Sequence, residues 1–195
     1  YASRVLQKLG PYSVSQSFPH LLREWYATGN MEDIEEAAEE CDVCGHEHIR
    51  YLFEIKNQRN GSVRHKSGSK CIIKFDEIGV QVGGRIVYDP AAKQAALDEI
   101  VKRQRARVRK EISGQVWAEL QKKDPTSGPI PIMSDICAKI YHDSGENGLL
   151  TPKQFSMFVW AGKITGINVR ILVFHGIMNL RKGKSKAQLA TLRSH

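Results

Sequence analysis

Four cysteines stand at positions 41, 44, 71 and 137, and the first two form Cys41-Asp42-Val43-Cys44-Gly45. A Cys-x-x-Cys-Gly turn is a zinc knuckle in outline. The tight turn points two thiolates at one tetrahedral metal, and the glycine lets the backbone curl toward the sulfurs. Cys71 follows after a hairpin-length insertion, within Ser67-Gly68-Ser69-Lys70-Cys71-Ile72-Ile73-Lys74-Phe75. A structural zinc site takes four ligands, so a fourth is needed. The favoured candidates are His46, just past the knuckle, and His65, beyond the intervening turn; Cys137 and His142 are further candidates from the second half of the chain. His48 is less suited, because its neighbours Ile49 and Tyr51 belong to a strand pattern. A redox dithiol would call for a βαβ context that is missing around the pair, and reduced, unliganded cysteines are the other alternative. Zinc is the favoured cofactor, and this cysteine usage suits a reducing cytoplasm better than a disulfide framework.

The ligands must be held by local elements. From Ile49 to Lys56, the apolar residues Ile49, Tyr51, Phe53 and Ile55 alternate with Arg50, Glu54 and Lys56, the two-residue period of a half-buried strand interrupted only by Leu52. Asn57-Gln58-Arg59-Asn60-Gly61 supplies turn residues, and Ser62 to Lys66 is the returning strand of a hairpin. A second β segment spans Gly79 to Val87, turning at Gly83-Gly84. Upstream, Ser17-Phe18-Pro19 followed by His20 to Tyr26 predicts a short helix closed by Gly29-Asn30. A second helix is expected from about Met31 to Glu40, within a stretch from Glu24 to Glu47 that holds nine acids and no Lys or Arg.

Knuckle, hairpin and third cysteine together resemble small treble-clef-like zinc-binding modules of phage, viral and mobile-element proteins. The motifs that carry the resemblance are Cys41-x-x-Cys44-Gly45, Ile49-Arg50-Tyr51-x-Phe53-x-Ile55-x-Asn57, Asn60-Gly61 and Gly68-Ser69-x-Cys71-Ile72-x-Lys74-Phe75, covering roughly residues 36–76. The resemblance implies a metal-stabilised hairpin and no definite chemistry.

The second half differs in charge. Residues 1–100 carry 12 basic and 15 acidic side chains, net −3, and residues 101–195 carry 17 basic and 6 acidic, net +11, which sums to the chain's +8. Asp89-Pro90 opens a long helix whose apolar positions Leu97, Ile100/Val101, Val108, Ile112, Val116/Trp117 and Leu120 keep helical spacing toward Lys123, with Gly114 as a potential break. On it Lys102, Arg103, Arg105, Arg107, Arg109 and Lys110 crowd into under three turns. Asp124 to Pro131 reads as a linker; Ser134 caps a short helix to Tyr141, and Thr151-Pro152 opens another through Trp160. Ile167 to Phe174 leans toward a strand. The last 15 residues, with Arg181, Lys182, Lys184, Lys186 and Arg193, contain no acid and read as a basic tail or helix.

The expectation is an α+β chain: a zinc-stabilised β-hairpin module with N-terminal helices over 1–88, then a basic, mainly helical region over 89–195. Arg and Lys at this density along one helix match successive phosphates, so the expected function is non-catalytic nucleic-acid binding, with DNA as the partner, through Lys102, Arg103, Arg105, Arg107, Arg109, Lys110 and the tail. Pairing of these cations with the acidic 24–47 segment would instead neutralise them. The alternative function is a protein-interaction module, an inhibitor or adaptor that docks its acidic helix on a host protein. A nuclease on the same scaffold would use His46, His48, Asn57, Asn60 and His65, but their spacing does not reproduce the His-Asn-His motif, and no phosphate loop, His-Glu-x-x-His or Gly-x-Ser-x-Gly is present. No segment has the apolar length of a membrane span, and the first residues lack a secretory pattern. The expected location is the cytoplasm, or the nucleus in a eukaryotic host.

Overall fold

The computed structural model describes residues 1–34, 37–124, 126–144 and 150–168. Its chain is mixed α+β and divides into two compact units, the first ending at Gln104 and the second starting at Arg105.

In the first unit, helix α1 (Ala2–Leu9) buries Val5 and Leu9. Two short 3-10 helices (Gly10–Tyr12 and His20–Glu24) lead into strand β1 (Trp25–Asp33). The hairpin is strand β2 (Tyr51–Asn57) with strand β3 (Val63–Ser67), and helix α2 (Ser69–Lys74) follows it. A second hairpin, strand β4 (Gly79–Val82) with strand β5 (Arg85–Val87), turns at Gly83-Gly84 as expected. The five strands lie in the order β3-β2-β1-β4-β5. All neighbours are antiparallel except β1 and β4, which run parallel with Tyr26 opposite Gly79.

The two helices expected over 17–26 and 31–40 are not formed. Only a 3-10 helix survives at His20–Glu24, burying Leu21 and Leu22; from Trp25 the chain is strand. Trp25 and Ala27 are buried while Tyr26 and Thr28 are less so, a two-residue period that Leu21 and Leu22 just ahead of it disguised as part of a helical face. A β-bulge between Ala27 and Met31 then breaks the alternation, and Gly29 takes a φ of 95° within it. Sheet partners on both edges supply backbone hydrogen bonds that a short helix rich in neighbouring carboxylates could not match. Beyond β1, Glu39 pairs with Ile49 in an isolated bridge.

Five carboxylates of the acidic run are paired inside their own unit, with cations other than the long helix's. Asp33 holds Arg50 at 2.7 Å, Glu39 holds Lys66 at 2.8 Å, Glu40 holds Lys8 at 2.7 Å and Asp42 holds Arg64 at 2.7 Å. Glu24 is almost fully buried and accepts from the amides of Val14 and Ser15 and from Asn57 Nδ2 at 2.7–2.9 Å. Burial alone would raise its pKa, but these bonds and Arg59 outweigh it and hold the carboxyl below its ordinary value.

Helix α3 (Pro90–Gln121) starts where Asp89 caps the amide of Ala92 at 2.8 Å. Its Lys93 is fully buried and donates to the carbonyls of Phe75 and Ile78 at 2.8 and 3.2 Å, which ties the helix to the segment after α2. The helix runs through Gly114 without a break. A Cβ there would lie 2.9 Å from Tyr141 Oη, so the glycine serves close packing.

In the second unit, helix α4 (Ile130–Asp143) begins earlier than expected, with Pro129 at its N-cap and Pro131 in the first turn; Ser134 is interior. Proline at a helix start loses no intrahelical bond, so the Pro-rich stretch doubles as a helix entry. Helix α5 (Pro152–Ile164) carries a full capping box between Thr151 and Gln154. Val116, Leu120, Met133, Cys137, Leu150 and Phe158 form this unit's core. Ile167 and Asn168 are not strand, and the rest of the expected 167–174 strand lies outside the described residues, as does the tail.

Candidate metal centre

Three local structures carry the three cysteines. The knuckle is a turn closed by the Gly45 amide donating to the Cys41 carbonyl at 2.8 Å, with the Cys41 amide donating to the His46 carbonyl at 2.9 Å. Gly45 has a φ of 70°, which only a residue without Cβ adopts freely. Asp42 docks the knuckle onto β3: its amide donates to the Lys66 carbonyl, and its carboxylate accepts from the Lys66 amide and Arg64 Nη2. The hairpin then returns the chain to Gly68, whose amide donates to Cys41 Sγ at 3.3 Å, and α2 brings in Cys71.

The result is a buried trio. Cys71 Sγ lies 3.8 Å from Cys41 Sγ and 3.1 Å from Cys44 Sγ, and all three sulfurs fall within 4.8 Å of one another. Among the described residues no other group of three His, Cys, Asp or Glu side chains converges this closely. Zinc–sulfur bonds of about 2.3 Å at tetrahedral angles place sulfurs about 3.8 Å apart, so the Cys41–Cys71 edge matches and the Cys44–Cys71 edge must open by less than an ångström. The trio has the donor set and spacing to hold a metal ion.

Its electrostatics ask for a cation. The hydrogen bond from Cys71 is the largest influence on Cys41 and, with the Gly68 amide, pulls its pKa down to about 6 despite burial. The same bond with Cys41, then burial, pushes Cys71 upward. A divalent metal would replace the remaining protons. Tyr1 Oη sits 3.8 Å from Cys71 Sγ, and burial together with that hydrogen bond raises its pKa.

A cleft of about 440 Å³ opens onto the sulfurs. Exposed His46 and His48 line it. His65 is elsewhere: its side chain is solvent-exposed on β3, with Nδ1 3.3 Å from Glu54 Oε2, and the structure does not bring it to the sulfurs. Cys137 is buried in the core of the second unit, where burial raises its pKa to about 11, and His142 packs edge-on against Trp117 in the same unit. The residues weighed as a nuclease centre are dispersed: Asn57 serves Glu24, and Asn60 donates to the Tyr12 carbonyl at 3.1 Å. Sequence reasoning overlooked Arg4, Lys70 and Lys74, which also line the cleft. The four-residue spacing of Lys70 and Lys74 around Cys71 was the available signal.

On α3, Lys102, Arg103, Arg105 and Arg107 are exposed. Glu99 engages Lys102 at 3.6 Å and Arg103 at 3.0 Å. Arg109 and Lys110 are partly withdrawn: Arg109 Nε donates to the Leu150 carbonyl at 2.9 Å, and Lys110 lies over the Tyr141 ring. Arg181, Lys182, Lys184 and Lys186 lie outside the described residues. No described helix is long and apolar enough to cross a membrane.

Comparison with protein-family models, curated proteins and solved structures finds no match.

Proposed function

We propose that this chain is a non-catalytic, zinc-containing nucleic-acid-binding protein that acts on DNA. The convergence of Cys41, Cys44 and Cys71 supports the metal half of this reading. His46 is our fourth ligand: the residue lines the cleft onto the sulfurs and its carbonyl accepts from the Cys41 amide, and its exposed ring would swing inward to join the trio in a Cys3His set. That donor set is typical of zinc sites that organise a fold. The zinc braces the knuckle, the hairpin and α2 as one rigid module.

The exposed run Lys102, Arg103, Arg105 and Arg107 supports the other half. Four exposed cations in six residues exceed what solubility demands. Binding to phosphates releases counterions, so affinity for a strand falls steeply between 50 and 200 mM salt. The acidic helix on which a protein-docking role would rest is not formed among the described residues, and Asp33, Glu39 and Glu40 are paired within the unit.

Purified protein tests both halves. Metal analysis should return one zinc per chain, and Arg105→Ala with Arg107→Ala should weaken DNA binding and flatten its salt dependence. Zinc without any strand binding would refute the nucleic-acid reading, and a folded chain without metal would refute the zinc.

A further inference from the structure

The cleft above the sulfurs has a charge character opposite to that of the sequence around it. Residues 1–100 carry a net −3, yet Arg4, Arg50, Lys70 and Lys74 line this cleft, and among the described residues no Asp or Glu does. Arg50 is committed to Asp33 through two hydrogen bonds of 2.7 and 3.0 Å. Arg4, Lys70 and Lys74 are exposed and form no ion pair among the described residues, while Lys8, Arg59, Arg64 and Lys66 nearby each have a carboxylate. Lys74 lies over the Tyr1 ring at 4.4 Å, and Arg4 and Lys70 share the same concavity, so three like charges with no carboxylate partner among the described residues make a field that favours an anion.

Charge arithmetic says which anion. Zinc with three thiolates is a single net negative charge, and Arg4, Lys70 and Lys74 bring three positive ones, so the mouth of the cleft is left with two. Each phosphodiester of a strand carries one negative charge, so two charges at the mouth match two successive backbone phosphates rather than a lone carboxylate. Tyr51 on the wall lies beneath Arg50 and Tyr1 lies beneath Lys74, so the two rings hold these cations at the cleft. The cleft is roomy enough for one nucleotide, at about 440 Å³.

We propose that this cleft is a phosphate subsite for a nucleic-acid strand, in which Arg4, Lys70 and Lys74 neutralise the backbone directly over the metal centre. The inference rests on the nucleic-acid reading and adds to it a second point of attachment, separate from the α3 cations.

The test is fluorescence anisotropy with a short labelled oligothymidine, using the full zinc-loaded chain at salt from 50 to 200 mM. Three proteins are compared: the native chain, a cleft variant (Arg4→Gln, Lys70→Gln, Lys74→Gln) and a helix variant (Arg103→Gln, Arg105→Gln, Arg107→Gln). All substituted side chains are exposed, and unchanged zinc content certifies the folded module. The cleft variant is expected to bind roughly tenfold more weakly at 50 mM, with its salt slope reduced by about 0.7 for each phosphate that is no longer neutralised. The strand should also slow zinc removal by a chelator from the native chain and not from the cleft variant, because it covers the sulfurs. A cleft variant with native affinity and slope, beside a helix variant that has lost binding, overturns the subsite and leaves the nucleic-acid reading standing. A native chain that binds no strand at 50 mM overturns both.

Discussion

Removing one sulfur from the trio should make the stability of the first unit indifferent to zinc. Cys44→Ser replaces a thiolate at the 3.1 Å edge with a hydroxyl, a poor ligand for zinc, and leaves two sulfurs where three converge. A ligand that binds only the folded state stabilises it by RT ln(1 + [L]/Kd), about 4.1 kcal/mol at a thousandfold excess over Kd. For a unit of residues 1–104, at about 4–8 °C per kcal/mol, that is a shift of roughly 16 °C or more in Tm. The unit should not unfold outright on chelation, because Val5, Leu9, Leu21, Leu22, Trp25, Ile55, Val80 and Leu97 form a core that extends well beyond the cysteines. The assay is thermal unfolding with added zinc and with chelator, for the native chain, Cys44→Ser and Cys137→Ser. Cys137 is the control: it is equally buried but belongs to the other core, so its hydroxyl replacement costs about 1–3 kcal/mol and leaves the zinc-dependent shift intact. A native chain whose Tm ignores zinc, or a Cys44→Ser protein that keeps the full shift, refutes the metal centre.

Three further outcomes are expected. His46→Ala should weaken zinc more than roughly tenfold in chelator competition while His65→Ala leaves it unchanged, since His65 faces Glu54; equal effects would remove His46 as the ligand. The Glu24 carboxyl titrates below its unfolded value, so its contribution to stability is complete above the unfolded pKa and is lost as pH falls through the lower, folded one. Glu24→Gln should therefore destabilise at neutral pH, by about 1.5–3 kcal/mol for each charged hydrogen bond it forfeits, and flatten the decline of stability in acid, and denaturant titrations at stepped pH would reveal a parallel decline if the reasoning is wrong. Gly114→Ala should lower Tm in the native chain, where the new Cβ meets Tyr141 Oη, and raise it in a Tyr141→Phe background, where the helix propensity of Ala is felt; the same sign in both would show that Tyr141 yields freely.

The hairpins and the long helix were legible because each is specified locally. Alternation over Ile49–Lys56, the Asn60-Gly61 turn, Gly83-Gly84 and the Asp89-Pro90 start all act through residues a few positions apart, and each element stands where those signals put it. Strand β1 was not legible, because its conformation is decided by β2 and β4, the latter more than fifty residues away along the chain, and its own pattern is broken by a bulge. The three sulfurs were readable because the knuckle, hairpin and α2 are consecutive. A fourth ligand is a matter of side-chain direction: His46 and His65 are equivalent by spacing, and only the sheet shows that His65 points to Glu54.

Charge counted by halves of the chain pointed at the second half alone, and the fold changes where the cations are available. Five of the basic residues in 1–100, namely Lys8, Arg50, Arg59, Arg64 and Lys66, are set against Glu40, Asp33, Glu24, Asp42 and Glu39. Five acids of the run are thus matched by cations that come from α1, the hairpin and its turn, and the partners of Asp42 and Glu39, Arg64 and Lys66, stand on β3, onto which the knuckle docks. Those carboxylates are therefore better read as fasteners of the cysteine module than as a surface for a partner. What they do not reach is the group at Arg4, Lys70 and Lys74, gathered by α1 and α2 at the open side of the sulfurs. A net charge of −3 conceals a cationic cleft because neutralisation is decided by distance in the fold rather than by position in the chain.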